Sequence, residues 1–357
     1  MTTTRTKKEE EEEEEKKPED DITIGFVEEF EREEDTKSEA MPSKTGGKPA
    51  WLSLNRLPET ETLSCPKCHV QMVFFLQIYA PIPSAEAKSA RDHRAIFVFC
   101  CRGCNTFKAF RNQIEDGNEF FESEDERKSE RAIKHGAPVQ PVCDVCGCSG
   151  AKTCGRCHVG RYCTENHQKI AWSGGHKTEC SAVIADAAGA KKRIKVDDQG
   201  LKIKEREILT EEEQSEEEVV GEKEGEERIK RLQREFEERK SRQGGKEERD
   251  DDDDEEKELA EMSAETEKEV KETIDEDFMR FQKRLKRAPE QVLRYLHNVG
   301  VVDESDIAEP LWCNLSGRPT VDQIPPCKNC GSKRVAEFQV MPQILFFLSV
   351  SPDCALD

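Results

Sequence analysis

The chain has 357 residues, 34% of them hydrophobic and 37% charged, with a formal net charge of −21. That composition excludes a chain folded throughout, because much of it cannot bury enough apolar surface to offset the entropy of ordering it. No run approaches the ~20 apolar positions of a membrane span, the opening MTTTRTKKEEEEEEE lacks the apolar core of a secretory signal, and 16 cysteines without an export signal argue for metal rather than disulfides.

The acidity is confined to tracts: residues 1–41 carry 17 acids against 7 bases and residues 205–277 carry 33 against 14, which leaves the remainder net basic. In chain order, residues 1–21 read as a disordered acidic tail. ITIGFVEEF follows, and the alternation of Ile22, Ile24 and Phe26 predicts a short strand. A β-rich domain is expected over 22–118, with strands in MVFFLQIYA and AIFVFCC separated by a loop containing Pro and Ser. A charged connector leads to residues 143–180, dense in Cys and His. Residues 181–267 read as a disordered acidic linker with one exposed helix around EERIKRLQREFEERK. A C-terminal domain is expected over 268–357. Val270, Ile274, Phe278, Phe281 and Leu285 predict a first helix, and Pro289 opens a second through EQVLRYL. A β-rich segment closes the chain.

The two apolar ends repeat one pattern: Pro-x-Trp, then Cys-x-x-Cys, then Gln between apolar residues. Trp51 precedes Cys65 by 14 residues and Trp312 precedes Cys327 by 15, while Gln77 and Gln339 each follow the first cysteine of their pair by 12. An internal duplication explains two such combinations in one register. Trp51 and Trp312 are read as core anchors, and His93 as a solvent-facing loop residue.

Residues 143–180 offer Cys143-x-x-Cys146, Cys154-x-x-Cys157, Cys163-x-x-x-His167 and His176-x-x-x-Cys180. Eight soft N and S donors in close pairs make two tetrahedral zinc sites, since short spacings impose little loop-closure entropy. Cys148 and His158 fit no pair. The first β-rich domain holds Cys65-x-x-Cys68 and Cys101-x-x-Cys104 at zinc-ribbon spacing, which gives a third site. Cys100 is an alternative to Cys101 there, and Cys65 and Cys68 have a second pairing open to them, with Cys327 and Cys330.

The 143–180 segment resembles a MYND zinc finger, including the Tyr162-Cys163 step, Trp172 and the closing His-x-x-x-Cys, with His167 where many such fingers carry Cys. The resemblance implies a cross-brace, with Cys143, Cys146, Cys163 and His167 on one zinc and Cys154, Cys157, His176 and Cys180 on the other. It also implies binding of proline-containing peptides, although Trp172 itself reads as core. Across the chain, ITIGFVEEF, KTGGKPAWL, LQIYAPI, FVFCC, the finger, RAPEQVLRY, EPLW and AEFQVMPQIL are similar in order to the programmed cell death protein 2 family.

That resemblance implies a β-rich domain split between N- and C-terminal segments with the MYND finger inserted; with the duplication and the acidic tracts read above, the expected fold is a β-rich (α+β) split domain with internal duplication, a small MYND finger built of paired ligands, and long disordered acidic segments. The resemblance further implies a dedicated chaperone or adaptor that captures a basic small-subunit ribosomal protein (the S-five class, eukaryotic S-two) co-translationally for 40S ribosome biogenesis. Flexible acidic tracts suit such a client by speeding its capture. The alternative is a nuclear transcriptional co-regulator scaffold whose finger binds proline-motif partners.

No phosphate loop, nucleophile elbow or methyltransferase-like segment is found, so an enzyme is not expected, and neither is a membrane partner or direct nucleic-acid binding. The expected location is cytoplasmic with nuclear or nucleolar shuttling, with KKRIK at 191–195 as a basic patch. Relatives of the resembled family continue into a Trp-Gly strand and further cysteines, whereas 27 residues follow Cys330 here. The C-terminal repeat is therefore expected to be truncated, with Cys327-x-x-Cys330 as half a site that neither Cys313 nor Cys354 completes at knuckle spacing.

Overall fold

The computed structural model describes residues 22–81, 93–115, 117–122, 132–185, 202–213, 276–298, 301, 307–313 and 318–347. The acidic tail, the helix expected around residues 226–240, Val270, Ile274 and Cys354 lie outside the described residues. The chain divides into two compact units, Gly25–Thr210 with Met341–Asp357, and Met1–Ile24 with Glu211–Val340. They are called here the finger-bearing unit and the C-terminal unit. No helix among the described residues is long and apolar enough to cross a membrane.

The finger-bearing unit is built on β1 (Thr23–Glu28, most of it in this unit), β2 (Lys44–Thr45), β3 (Val73–Tyr79), β4 (His93–Cys101), β5 (Thr106–Ile114) and β8 (Arg206–Glu212), in the sheet order β1-β8-β2-β3-β4-β5. The pairs β8–β2, β2–β3, β3–β4 and β4–β5 are antiparallel. Strands β3 and β4 are apolar on both faces because both are covered, whereas β5 alternates half-buried and exposed residues as a strand with one wet face does. Against the sheet packs an aromatic core in which the Trp51 ring lies 4.5 Å from Phe97 and 6.1 Å from Phe99, and Phe74 stands edge-on to Phe99 at 5.6 Å. The finger adds β6 (Lys152–Thr153) paired with β7 (Arg161–Tyr162), then α1 (Glu165–Ala171) and α2 (Lys177–Ala185). His93, expected on a solvent-facing loop, is instead a buried β4 residue whose Nδ1 lies 2.8 Å from the Tyr79 hydroxyl.

Within the span 181–267, expected to be a disordered linker, residues Arg206–Glu212 instead form strand β8. Ile203 and Ile208 are buried, and Lys44 pairs with Arg206's neighbour Glu207 across the ladder. The turn Gly46-Gly47 makes this possible. Both glycines have φ of +68°, Gly46 N–H donates to Phe75 O and Gly47 N–H to Ile203 O at 2.9 Å each. A Cβ on Gly46 would lie 2.2 Å from the Lys204 carbonyl oxygen, so only glycine fits. With Ile208 as the one buried position of REILTEE, the acids around it hide the strand from any test of alternation.

The C-terminal unit contains α3 (Glu276–Arg287), β9 (Leu293–Tyr295) and β10 (Phe338–Val340), with β9 and β10 antiparallel and Arg294 opposite Gln339. The second helix expected from Pro289 is β9 instead. Val292, Leu293, Arg294, Tyr295 and Leu296 are all buried, so both faces of the segment are covered, and a short apolar run of that kind carries no periodicity to separate helix from strand. The described part of the first helix is Glu276–Arg287, where Phe278 is 40% exposed and Phe281 and Leu285 are half-buried.

The two repeated glutamines make one matching bond, from the N–H of the residue before each repeated Trp, although Trp51 is buried and Trp312 is only half-buried. In β3, Gln77 Oε1 accepts the Ala50 N–H at 2.8 Å and its Nε2 donates to Pro42 O at 2.8 Å. In β10, Gln339 Oε1 accepts the Leu311 N–H at 2.8 Å and its Nε2 donates to Leu311 O at 2.7 Å. Ala50 and Leu311 are the residues immediately before Trp51 and Trp312.

Candidate metal centres

Each Cys-x-x-Cys pair sits on the same tight turn. Four residues after its first cysteine the backbone is left-handed: His69 (φ +60°), Asn105 (+47°), Gly147 (+72°), His158 (+57°) and Gly331 (+74°). At Cys65 the returning N–H of His69 donates to Cys65 O at 2.9 Å, and Cys65 N–H donates to Val70 O at 2.8 Å. Gly147 and Gly331 repeat the first bond to Cys143 O and Cys327 O at 2.9 and 2.8 Å, and His158 repeats it to Cys154 O at 3.0 Å. The turn brings both thiols to one side. It also aims backbone N–H groups at the sulfur, as Lys67 N–H does at Cys65 Sγ, 3.4 Å away.

Three clusters result, in each of which the four donor atoms lie within 4.8 Å of one another. The first joins Cys65, Cys68, Cys101 and Cys104, with Cys68 Sγ 3.5 Å from Cys101 Sγ. The turn before β3 faces the turn between β4 and β5, and Cys65 and Cys101 are buried at the rim of the aromatic core. Cys100 stays outside the cluster, paired with Phe107 across the ladder, and burial pushes its thiol up to about 11. Cys327 and Cys330 are not among the partners of Cys65 and Cys68, and among the described residues they join no cluster.

The second cluster joins Cys143, Cys146, Cys163 and His167. Cys146 Sγ is 3.6 Å from Cys163 Sγ, and His167 presents Nδ1 to Cys143 Sγ at 3.6 Å and Cys163 Sγ at 3.0 Å. His167 is placed by the start of α1, where Thr164 Oγ1 caps the helix by accepting the His167 N–H at 3.2 Å. The third cluster joins Cys154, Cys157, His176 and Cys180, with Cys154 Sγ 4.0 Å from Cys180 Sγ and His176 Nε2 3.7 Å from Cys157 Sγ. Between α1 and α2 the backbone kinks through Trp172–His176, where Gly175 has φ +119°, and this swings His176 back toward the β6–β7 hairpin. Cys148 belongs to the core rather than to a cluster, and Trp172, expected in the core, is 36% exposed.

The donor sets fit zinc. Around a tetrahedral ion with Zn–S bonds of ~2.3 Å, sulfurs stand roughly 3.8 Å apart, close to the separations given above. The electrostatics agree, because four thiols so close cannot all ionise unless a cation joins them. In the first cluster the N–H groups of Cys68 and Lys67 bring the Cys65 thiol down to about 6, while its neighbours, Cys68 first, push Cys104 up to about 12. In the second, Cys146 and Cys163 hold Cys143 well below the ordinary thiol range, and Cys143 and Cys146 raise Cys163 far above it. A divalent cation resolves that conflict by holding all the thiolates at once. Each cluster supplies four protein donors, which is the closed, structural kind of zinc site.

The finger is fastened to the sheet that precedes it. Trp51 Nε1–H donates to Gly147 O at 2.8 Å, inside the turn that carries Cys143 and Cys146. Gln140 Nε2 donates to Ser149 Oγ at 2.7 Å while its own N–H donates to Leu54 O at 2.7 Å. Gln71 Nε2 reaches Cys163 Sγ, a ligand of the second cluster, at 3.4 Å. Sequence reading placed Trp51 in the core and missed its partner, because nothing local to Trp51 marks a carbonyl 96 residues away.

Comparison with known proteins matches three family models: the N-terminal domain of programmed cell death protein 2 over residues 21–128, the MYND finger over 143–180, and the putative C-terminal domain of programmed cell death protein 2 over 275–355. The chain is 35% identical over 322 residues to bovine (Bos taurus) programmed cell death protein 2, covering 87% of this chain and 81% of that one. It is 34% identical over 335 residues to the mouse (Mus musculus) protein, covering 91% and 84%. The chicken (Gallus gallus) programmed cell death protein 2-like protein is 35% identical over 83 residues, 23% of this chain and 20% of that one. No solved structure matches.

Proposed function

The chain belongs to the programmed cell death protein 2 family, and on that premise we propose that it is a zinc-stabilised, non-enzymatic chaperone or adaptor that captures a basic small-subunit ribosomal protein of the S-five class (eukaryotic S-two) during its synthesis, in support of 40S ribosome assembly. The observation that carries the reading is the closed character of all three centres. With four protein donors each, they leave no coordination position for a substrate or an activated water, so the metal serves to hold a binding surface in shape. The duplication read in the sequence is supported by the Gln77–Ala50 and Gln339–Leu311 contacts, and it provides the split, two-part β-rich scaffold of this proposal. The acidic tracts, with 33 acids against 14 bases over residues 205–277, complement a basic client and raise its capture rate. The place of action in this reading is the cytoplasm, with shuttling to the nucleus or nucleolus.

Affinity purification of the full chain from translating cells tests it. Stoichiometric recovery of one basic ribosomal protein, weakening as salt rises, is expected. Recovery of chromatin factors without that protein would sink the proposal. It would favour the second reading, a nuclear co-regulator scaffold binding proline-containing peptides, which the exposed Trp172 edge-on to His176 at 5.9 Å supports. Cofactor-dependent turnover by the pure protein would overturn both.

A further inference from the structure

The three centres differ in how far solvent reaches their sulfurs. In each finger centre three donors are buried and one, Cys146 or Cys157, is half-buried. In the first centre Cys68 is exposed and Cys104 half-buried, while Cys65 and Cys101 are buried. Cys68 lies in the turn before β3 with its Sγ 3.5 Å from that of Cys101, the last residue of β4, so an exposed sulfur stands beside one that the sheet holds still. The two turns also bring cations to this sulfur pair. Lys67 precedes Cys68, Arg102 follows Cys101, and both are exposed. Cysteine oxidation follows thiolate character and solvent access, and a neighbouring cation favours the thiolate.

We propose that the first centre is a peroxide-sensitive switch, in which hydrogen peroxide joins Cys68 to Cys101 as a disulfide and zinc leaves that centre while both finger centres stay filled. The Cys68 thiolate attacks one peroxide oxygen, the O–O bond breaks and hydroxide departs, which leaves Cys68 as the sulfenic acid. The Cys101 thiolate then attacks the Cys68 sulfur, the S–S bond forms, the S–O bond breaks and a second hydroxide departs. Two thiolates and one hydrogen peroxide thus become one disulfide and two hydroxides, with two electrons passing from sulfur to the peroxide.

Of the four donors a closed zinc site needs, Cys65 and Cys104 alone remain, and two thiolates do not retain the ion. The exposed Cys68 turn supplies the movement that closes the gap from 3.5 Å to a bond. The disulfide ties the same two turns that the metal tied, so the rim of the sheet keeps a staple and thiols reverse the change. Burial of Cys143, Cys163, Cys154 and Cys180 shields the finger from the same attack.

Treating the full zinc-loaded chain with hydrogen peroxide, in the absence of added thiol, tests this, with zinc release followed by a chromogenic chelator and disulfides mapped by mass spectrometry. Expected is a first phase in which zinc falls from three per chain to two while a Cys68–Cys101 disulfide accumulates in step; dithiothreitol and zinc then restore three. Cys68→His supplies a fourth donor without the oxidisable sulfur, so it should hold three zincs and lose the first phase. Cys313→Ser with Cys327→Ser and Cys330→Ser removes accessible thiols outside the three centres and should leave that phase unchanged. Simultaneous release from all three centres, earlier release from the finger, or a first phase accompanied by a different disulfide overturns the proposal. So does a first phase that survives in Cys68→His. If that variant binds only two zincs, the wild-type order of release and disulfide map decide the question by themselves.

Discussion

Glu213 directly follows β8, lies in the C-terminal unit and is almost wholly buried, yet it carries a charge-paired network of its own. It accepts from Arg284 Nη1 at 2.6 Å and from Arg294 Nη1 and Nη2 at 2.9 and 2.7 Å, and Arg294 Nη1 is also held by Gln291 Oε1 at 2.7 Å. Removing the carboxylate leaves guanidinium charges in a site closed to water. Glu213→Ala is therefore expected to cost about 3–5 kcal/mol in urea unfolding, while Glu211→Ala, two residues earlier and exposed, should stay within about 0.5 kcal/mol. Lys44 makes the opposite case. It is 1% exposed, donates to Thr36 O at 2.8 Å and pairs with Glu205, and burial lowers its pKa in spite of that carboxylate. A lysine whose folded pKa lies below its unfolded one binds its proton more weakly when folded. It costs stability at neutral pH, and that cost fades as pH rises toward the ordinary lysine range. Wild type should gain on Lys44→Met between about pH 7 and pH 10, and a constant difference across that window would contradict the argument.

Among the elements, the turn between Cys143 and Cys148 matters most for how the finger is seated, because it supplies two ligands and receives Trp51. Trp51→Phe keeps the ring contacts with Phe97 and Phe99 but orphans the Gly147 carbonyl, at a cost of about 1–3 kcal/mol. Trp51→Ala also empties a core position and should cost about 3–5 kcal/mol. Hydrogen exchange at Cys143–Ser149 is the discriminating readout. It should rise in Trp51→Phe while β6 and β7 stay protected, and exchange unchanged at that turn would mean that the bond does not hold the finger. Strands β3 and β4 and the eight finger ligands were legible in the sequence because their signals are local, either apolar runs or donors two to four residues apart. Strands β8 and β9 were not legible, since a single buried Ile208 among acids and a fully covered VLRYL give no period. Nor were the pairings of Trp51 with Gly147, Gln77 with Ala50 or Glu213 with Arg294, because those are decided by the fold and leave no spacing rule. The pairing of Cys65 and Cys68 with Cys101 and Cys104 was legible from its zinc-ribbon spacing, with Cys327 and Cys330 left open as the alternative, and the β3–β4–β5 meander settles that choice.

At the scale of the molecule, the three zinc centres lie in one compact unit but should not be equivalent. The first ties the end of β4 and the β4–β5 turn to the segment before β3, and two of its ligands are buried in the aromatic core, so its loss removes a staple from the sheet itself. The other two are cross-braced within the finger and share no donor with it. Cys101→Ser with Cys104→Ser should lower the metal content from three zincs to two and lower the thermal midpoint, with both finger centres still filled. Contact between Gln71 and Cys163 tempers that independence, because Gln71 bridges to Ser64, next to Cys65. Loosening the first centre should therefore speed zinc loss to a chelator from the second centre more than from the third, which has no such link among the bonds described. Acid should empty all three, since every thiolate must be protonated to let the metal go, and release should grow steadily as pH falls. Metal analysis of that double variant, paired with chelator release rates, decides the point. If the third centre empties as fast as the second, the coupling runs through the whole finger and not through Gln71.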